Sequence, residues 1–276
     1  MTRILHLSDT HLMAAGGLHG GFVDTTAALG HVLESLQRIG SLDAVVVSGD
    51  VSEDGTVASY ETARALVGEF ARARGAVPVF AMGNHDTPAE FTQVLGPVRS
   101  VQDVDGFRLV VLDSSVPGRG YGSLGAEQLD WMRSVLAAPA PKGSAVVVHH
   151  SPVPAPTVLH DGLKLQDPAD LLAALDGTDV RVVLSGHYHH PAAQTYPSGL
   201  TALVAPAVAN RSDPFAAPGR ERILRGHGAL LVEVDEAGGA VRSRVLSIPS
   251  PGDGEELFEL DEETVARIVA ESGPGA

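Results

Sequence analysis

Five short apolar runs, each ending abruptly in polar residues, set the pattern of this chain. Ile4 to Leu7, Ala44 to Val47, Ala76 to Ala81, Ala145 to Val148 and Val180 to Leu184 are apolar at almost every position, as strands covered on both faces of a sheet are. Between the first three runs the apolar residues fall at helical spacing. Val23 to Ile39 carries Ala28, Val32, Leu36 and Ile39 on one face, with Asp24 or Thr25 placed to cap it, and a second helix is expected from about Val57 to Arg74. The opening third therefore reads β-α-β-α-β, which predicts parallel strands joined by right-handed crossovers. Ala15 to Gly21 is a Gly-rich loop, and Asp86-Thr87-Pro88 is read as the start of a short helix to about Leu95, capped by Asp86 with Pro88 in its first turn.

The middle of the chain changes period. Val98 to Val104 and Phe107 to Leu112 flank Asp105-Gly106, a strong hairpin signal that adds antiparallel strands. Ala126 to Leu136 is helical in pattern with Leu129, Met132 and Leu136 aligned, and Asp167 to Leu175 is a further helix. Pro152 to Gln166 has no periodicity and reads as a long loop of the kind that carries function. Leu200 to Val204, Gly228 to Val234 and Val241 to Ile248 are expected strands, Asn210 to Gly219 a mobile loop, and Glu255 to Glu271 an acidic helix capped by Asp261. The fold class is α/β with mixed sheets: residues 1–250 form the main domain and 251–276 a C-terminal acidic helix and tail.

Composition narrows the function. Nineteen basic against 34 acidic residues leave a net charge of −15, which opposes binding to a nucleic-acid backbone or an anionic membrane. With no cysteine, any metal must be held by His, Asp, Glu or Asn. No apolar run is long enough to span a membrane, and the amino terminus enters a strand without a signal-peptide pattern, so the cytoplasm is the expected location.

The polar strand ends carry the chemistry. They read Asp9-x-His11, Gly49-Asp50, Gly83-Asn84-His85-Asp86, His149-His150 and Gly186-His187-x-His189-His190, and seven of the twelve histidines stand there. Taken singly, Asp9 and Asp50 are caps or turn residues and His149 or His150 a hydrogen-bonded strand-end histidine. Taken together, a ligand-type residue at all five ends is a metal site of imidazoles, carboxylates and an amide, suited to Mn, Fe, Co or Zn. Residues two apart in an extended segment point the same way, so Asp9 with His11, and His187 with His189, converge. His6, His19, His31, His160 and His227 are read as structural or surface groups, with His19 and His160 the two candidates for the mouth of a site. Arg211 is read as a solvated loop arginine, with a phosphate contact as its alternative.

The ordered blocks D-x-H, G-D, G-N-H-D, H-H and G-H-x-H resemble the signature of the calcineurin-like metallophosphoesterases, and Leu112 to Gly118 and Gly177 to Arg181 are similar to its class III cyclic-nucleotide phosphodiesterase branch. The resemblance implies a four-layer αββα sandwich and two metal ions, Fe and Mn favoured over Co and Zn. It implies one ion on Asp9, His11, Asp50 and His189 and another on Asp50, Asn84, His149 and His187, with Asp50 bridging. His149, rather than His150, matches the family's ligand. His85 matches the non-ligand histidine that faces the phosphate and leaving group, so the catalytic set is His85, Asp50 and Asn84. Glu53 and Asp54 lie where a carboxylate would orient His85, and Gly83 is read as letting the chain turn tightly. The implied activity is hydrolysis of 3′,5′-cyclic nucleotides (cAMP, cGMP) to 5′-monophosphates by a hydroxide bridging the metals. Glycerophosphodiesters or other small phosphodiesters are the alternative substrates, and a non-catalytic metal- or nucleotide-binding regulator is the reading from another class. A homodimer is the implied assembly, with the apolar stripe Val265, Ile268 and Val269 of the acidic helix as a candidate contact.

Overall fold

Four of the five apolar runs are covered on both faces within two stacked sheets, while the run at Ala76 to Ala81 forms a sheet edge where Val77 and Pro78 are exposed. The structure, a computed structural model, describes residues 1–14, 16–236 and 239–275. Ala15 of the Gly-rich loop and Ala276 of the tail lie outside the described residues. In chain order the first half holds β1 (Thr2–Leu7), α1 (Thr25–Ser35), β2 (Ala44–Ser48), α2 (Val57–Arg72), β3 (Val77–Ala81), α3 (Pro88–Leu95), β4 (Ser100–Val104), β5 (Phe107–Val111), α4 (Gly125–Leu136) and β6 (Ser144–Val147). The second half holds α5 (Val158–Gly162), α6 (Pro168–Leu175), β7 (Val180–Ser185), β8 (Ala192–Thr195), β9 (Thr201–Val204), β10 (Arg211–Asp213), β11 (Glu221–Leu224), β12 (His227–Val234), β13 (Val241–Ile248), β14 (Glu256–Leu260) and α7 (Glu262–Ser272).

One sheet runs β13-β12-β1-β2-β3 and the other β4-β5-β6-β7-β9-β8. β1, β2 and β3 are parallel, as are β5, β6, β7 and β9, while β12, β13, β4 and β8 are antiparallel edges or flanks. Alternation along each strand decides what its side chains meet. Ile4, Val46 and Val79 point between the sheets to Leu109, Val147 and Leu184. Leu5, Leu7, Val45 and Val47 point outward to Leu29 and Val32 of α1 and Val67 of α2. Val110, Val146 and Val183 meet Leu129 and Met132 of α4 and Leu171 of α6 on the far side. Helices, sheet, sheet and helices are the four layers of the expected αββα sandwich.

The helix ends follow their sequence signals, with one exception. Asp24 caps α1 by accepting from Ala27 N at 2.9 Å, and Asp261 caps α7 by accepting from Thr264 N at 2.9 Å. The cap position of α3 is Thr87, not Asp86; Asp86 is drawn away to the site described below. Asp105 and Gly106 both take positive φ, 52° and 85°, as the two-residue hairpin requires.

The remaining departures involve short elements. The expected loop Pro152 to Gln166 contains α5, a short helix capped by Thr157. Residues 256–260, expected as helix, are β14 and pair antiparallel with β11, Ile223 opposite Phe258. β10 completes this three-stranded sheet, so residues 211–213 of the expected mobile loop are tied by strand pairing. Both depend on partners distant in sequence, which periodicity does not reveal. The segment expected as a C-terminal acidic helix and tail thus contributes a strand as well as α7. Val265 of α7 is buried, and Val269 packs where a Cβ on Gly162 of α5 would stand, so part of the apolar stripe is covered within the chain. Among the described residues no helix is long and apolar enough to cross a membrane.

Candidate metal centre

The five motif loops leave the carboxyl ends of β1, β2, β3, β6 and β7 and meet at one edge of the sandwich. Backbone hydrogen bonds stitch them: Asp9 N to Gly49 O at 3.1 Å, His11 N to Asp50 O at 2.9 Å and Gly186 N to His149 O at 3.0 Å. Asp9, His11, Asp50, His187 and His189 all hold positive φ, between 43° and 72°. Among the described residues the only other non-glycine to do so is Asp105 in its hairpin. Each such residue costs about 1–3 kcal/mol, so the strain is concentrated where side chains must aim inward.

Glycines make the approach possible. A Cβ on Gly83 would overlap the Asp50 carboxylate and backbone nitrogen, and one on Gly186 would overlap Ser8 and the Asp9 carboxylate. Gly83 does not take positive φ, so its purpose is space for Asp50 rather than the tight turn expected. Asp86, expected as a helix cap, accepts from the backbone nitrogens of Gly83 (2.9 Å), Ser52 (2.9 Å) and Val51 (3.1 Å). It is a buried clasp between the Asp50 loop and the Asn84 loop, which places two donors in register. Burial, with Asp50 nearby, pushes its carboxyl up to about 7.

The ring nitrogens are assigned by what they face, since a carbonyl only accepts. His149 Nδ1 donates to Ser48 O at 2.9 Å, leaving Nε2 bare. His187 uses Nε2 to donate to Leu163 O at 3.0 Å, leaving Nδ1. His11 Nδ1 meets Glu53 Oε2 at 2.7 Å and His189 Nδ1 meets Asn210 Oδ1 at 2.6 Å, so both present Nε2, 3.1 Å apart. His150 has no nitrogen to spare: Nε2 donates to Gly120 O at 3.0 Å and Nδ1 accepts from Ser114 Oγ at 2.9 Å. Of that pair only His149 leaves a ring nitrogen for a cation, Nε2, which stands 3.2 Å from Asp50 Oδ2.

These donors fit metal ions. Asp9, His11 and His189, and separately Asp9, Asp50 and His149, bring ligand atoms within 4.8 Å of one another. Asn84 Oδ1 is buried without a hydrogen-bond partner, and His149 Nε2 makes no well-aligned hydrogen bond and only pairs with Asp50 Oδ2 at 3.2 Å, a costly state that a cation at that point relieves. Burial holds His11 and His189 down at about 4, and so in the neutral ligand form. Burial opposes charge on His149 too, but Asp50 and then Asp9 outweigh it and raise His149 to about 9. A cation entering there displaces that proton.

Residues 2–191 match the calcineurin-like phosphoesterase family, a span that contains all seven candidate ligands. The chain belongs to the calcineurin-like phosphoesterases. It is 40% identical over 240 residues to the cAMP/cGMP dual specificity phosphodiesterase of Mycobacterium tuberculosis, covering 84% of this chain and 75% of that protein. A probable cyclic nucleotide phosphodiesterase of Rhodococcus erythropolis is 38% identical, covering 84% of this chain and 79% of its own. In fold, the phosphoesterase is similar to a dimetal phosphatase from Danio rerio, with a TM-score of 0.57 at 15% identity, covering 90% of this chain and 99% of that one.

His85 of this phosphoesterase stands beside the cluster, 41% exposed at its side chain, with Nδ1 3.1 Å from Glu53 Oε2. Burial works against its charge, but Asp50 and Glu53 more than offset it and raise His85 to about 10. The same Glu53 oxygen also faces His11 and, at 3.4 Å, His19. Of the expected pair it is Glu53 that faces His85, while Asp54 ties its own loop to the loop after β1, accepting from Thr56 N and Ala14 N. A cavity of about 290 Å³ opens over these groups. His19 and His160, read first as structural or surface groups, line it; His6, His31 and His227 do not. Arg211 lies on β10 and lines a separate cavity behind His189. Phe258, Leu260 and Ile223, for which the sequence offered no site signal, complete the wall.

Proposed function

We propose that this phosphoesterase hydrolyses 3′,5′-cyclic nucleotides to 5′-monophosphates at a dinuclear centre. One ion is assigned to Asp9, His11, Asp50 and His189 and the other to Asp50, Asn84, His149 and His187, with Fe and Mn the favoured pair. Bound divalent ions would acidify water and neutralise charge on the phosphate. Asp9 and Asp50 bring two negative charges, few enough that the loaded site stays matched to a phosphodiester monoanion.

In the reaction, water oxygen bonds to phosphorus and gives up one proton to solvent, the P–O3′ bond breaks and O3′ takes up a proton. His85 is the group placed to give it. Glu53 holds Nδ1 and so directs Nε2 toward the cavity, and Asp50 and then Glu53 favour the protonated ring. Proton delivery of this kind contributes about 100- to 10,000-fold. The observation that carries the reading is the buried, unpartnered Asn84 Oδ1 next to the Asp50–His149 pair, with His85 beside them. The similarity to cyclic nucleotide phosphodiesterases supports the substrate class.

The test is a side-by-side rate measurement on chelator-stripped protein resupplied with Mn²⁺. Cyclic AMP turning over faster than glycerophosphocholine, with 5′-AMP as product, is the expected result. Faster hydrolysis of glycerophosphocholine would reassign the substrate, and no turnover of either would overturn the enzyme reading.

A further inference from the structure

The cavity over the metal centre has two unlike walls. One is the polar set of ligands and His85; the other carries an apolar surface, formed by Leu159 of α5, Leu163 just after it, and Ile223, Phe258 and Leu260 from the small sheet, with His160, Ser212 and Glu221 as its polar members. Ile223, Phe258 and Leu260 lie outside residues 2–191, so this wall is supplied by a part of the chain beyond the family match. Phe258 is held flat by two contacts: its strand pairs with β11, and its ring stacks on Phe22 with centroids 5.9 Å apart and planes at 26°. Phe22 is itself half exposed.

The charge of the lining limits what the apolar wall receives. Among the described residues no lysine or arginine lines this cavity. A second phosphate or a carboxylate placed against the apolar residues would find no lysine or arginine there, and Glu221 lines the same cavity, so its desolvation would go uncompensated. About 290 Å³ suits a small ligand and not a polymer. A neutral, flat, apolar-faced group joined to a single phosphodiester meets both limits, and a nucleobase is such a group.

We infer that Phe258, backed by Phe22 and flanked by Ile223, is the base-stacking subsite and sets the preference for nucleotide over other phosphodiesters. This deepens the cyclic-nucleotide reading and rests on it. Base–aromatic stacking is worth about 1–3 kcal/mol per base, so Phe258→Ala is expected to raise KM for cyclic AMP about tenfold while kcat changes little. Phe258 is partly exposed, which places the effect toward the lower half of that range.

The experiment is steady-state hydrolysis of cyclic AMP by Mn²⁺-loaded wild type, Phe258→Ala, Phe258→Leu and Phe258→Tyr, with inorganic phosphate as a competitive probe of the centre without a base. Phe258→Leu keeps apolar volume but lacks a π face, so it controls for folding. The expected result is a raised KM for the Ala and Leu variants, recovery in Phe258→Tyr, and an unchanged Ki for phosphate in all four. A wild-type KM in Phe258→Leu, or a phosphate Ki that rises with KM, would overturn the subsite and leave the phosphodiesterase reading standing. Absence of cyclic AMP turnover in the wild type would overturn both.

Discussion

Replacing Glu53 by glutamine keeps the side chain's shape and removes its charge. Glu53 Oε2 stands 2.7 Å from His11 Nδ1, 3.1 Å from His85 Nδ1 and 3.4 Å from His19 Nδ1, and a single amide oxygen without charge does not serve all three. A hydrogen bond to a charged group is worth roughly 1.5–3 kcal/mol, which would be about 10- to 150-fold in rate if all of it were expressed in the transition state. The Glu53 side chain is 26% exposed, and solvent screening moves the expectation to the low end, about 10- to 30-fold in kcat. His85→Ala removes the proton donor itself, with an expected loss of about 100- to 10,000-fold. Because Glu53 acts on turnover through His85, the double variant should fall no more than about threefold below His85→Ala. The assay is cyclic AMP hydrolysis at saturating Mn²⁺. Mn²⁺ affinity is measured separately by calorimetry, since loss of the partner that orients His11 should weaken binding by about 10- to 100-fold. A Glu53→Gln enzyme with wild-type kcat, or a double variant whose loss is the product of the two single losses, would refute the reasoning.

Three further outcomes follow from the packing. Gly83→Ala, which forces a methyl group into Asp50, should cost about 1–3 kcal/mol in urea unfolding and weaken Mn²⁺ binding; unchanged binding would contradict the close approach. Asp86→Asn replaces an acceptor of three backbone N–H groups by one oxygen and a competing donor, and should cost roughly 2–4 kcal/mol, whereas a simple cap would cost about 1 kcal/mol. His6 is fully buried, 2.8 Å from Ser48 Oγ, and burial lowers it from 6.5 to about 3. The unfolded chain takes up a proton below pH 6.5 that folded His6 refuses, so its contribution is complete above 6.5 and is lost as the pH falls toward 3. That amounts to roughly 2 kcal/mol between pH 6.5 and 5. Urea midpoints of metal-free wild type and His6→Gln at pH 7 and 5 test it: the variant should lose less, and equal losses would exclude the effect.

Much of the architecture was legible because burial on both faces leaves a plain mark. The uniform runs at β2, β6 and β7 and the helical spacing of α1, α2 and α4 are each decided by neighbours that any sandwich would supply. β10, β11 and β14 were not legible, since their identity as strands comes from one another across the chain. The same division runs through the site. The strand-end pattern picks out Asp9, His11, Asp50, Asn84, His149, His187 and His189 as candidate ligands, because a ligand needs both the right chemistry and a place where a strand stops, and these strand ends meet at one edge of the sandwich. Asp86 was misread for lack of a third dimension: nothing local to Pro88 reveals that the nitrogens of Val51 and Ser52 approach it. Phe258 carries no motif, and only the pairing of β14 with β11 brings it over the centre.

The central claim is most directly tested by titrating chelator-stripped protein with Mn²⁺ while following 5′-AMP formed from cyclic AMP. Activity should be absent without metal, rise with each addition and level off at two Mn²⁺ per chain. Full activity in the stripped protein, or no 5′-AMP at any ratio, would contradict it.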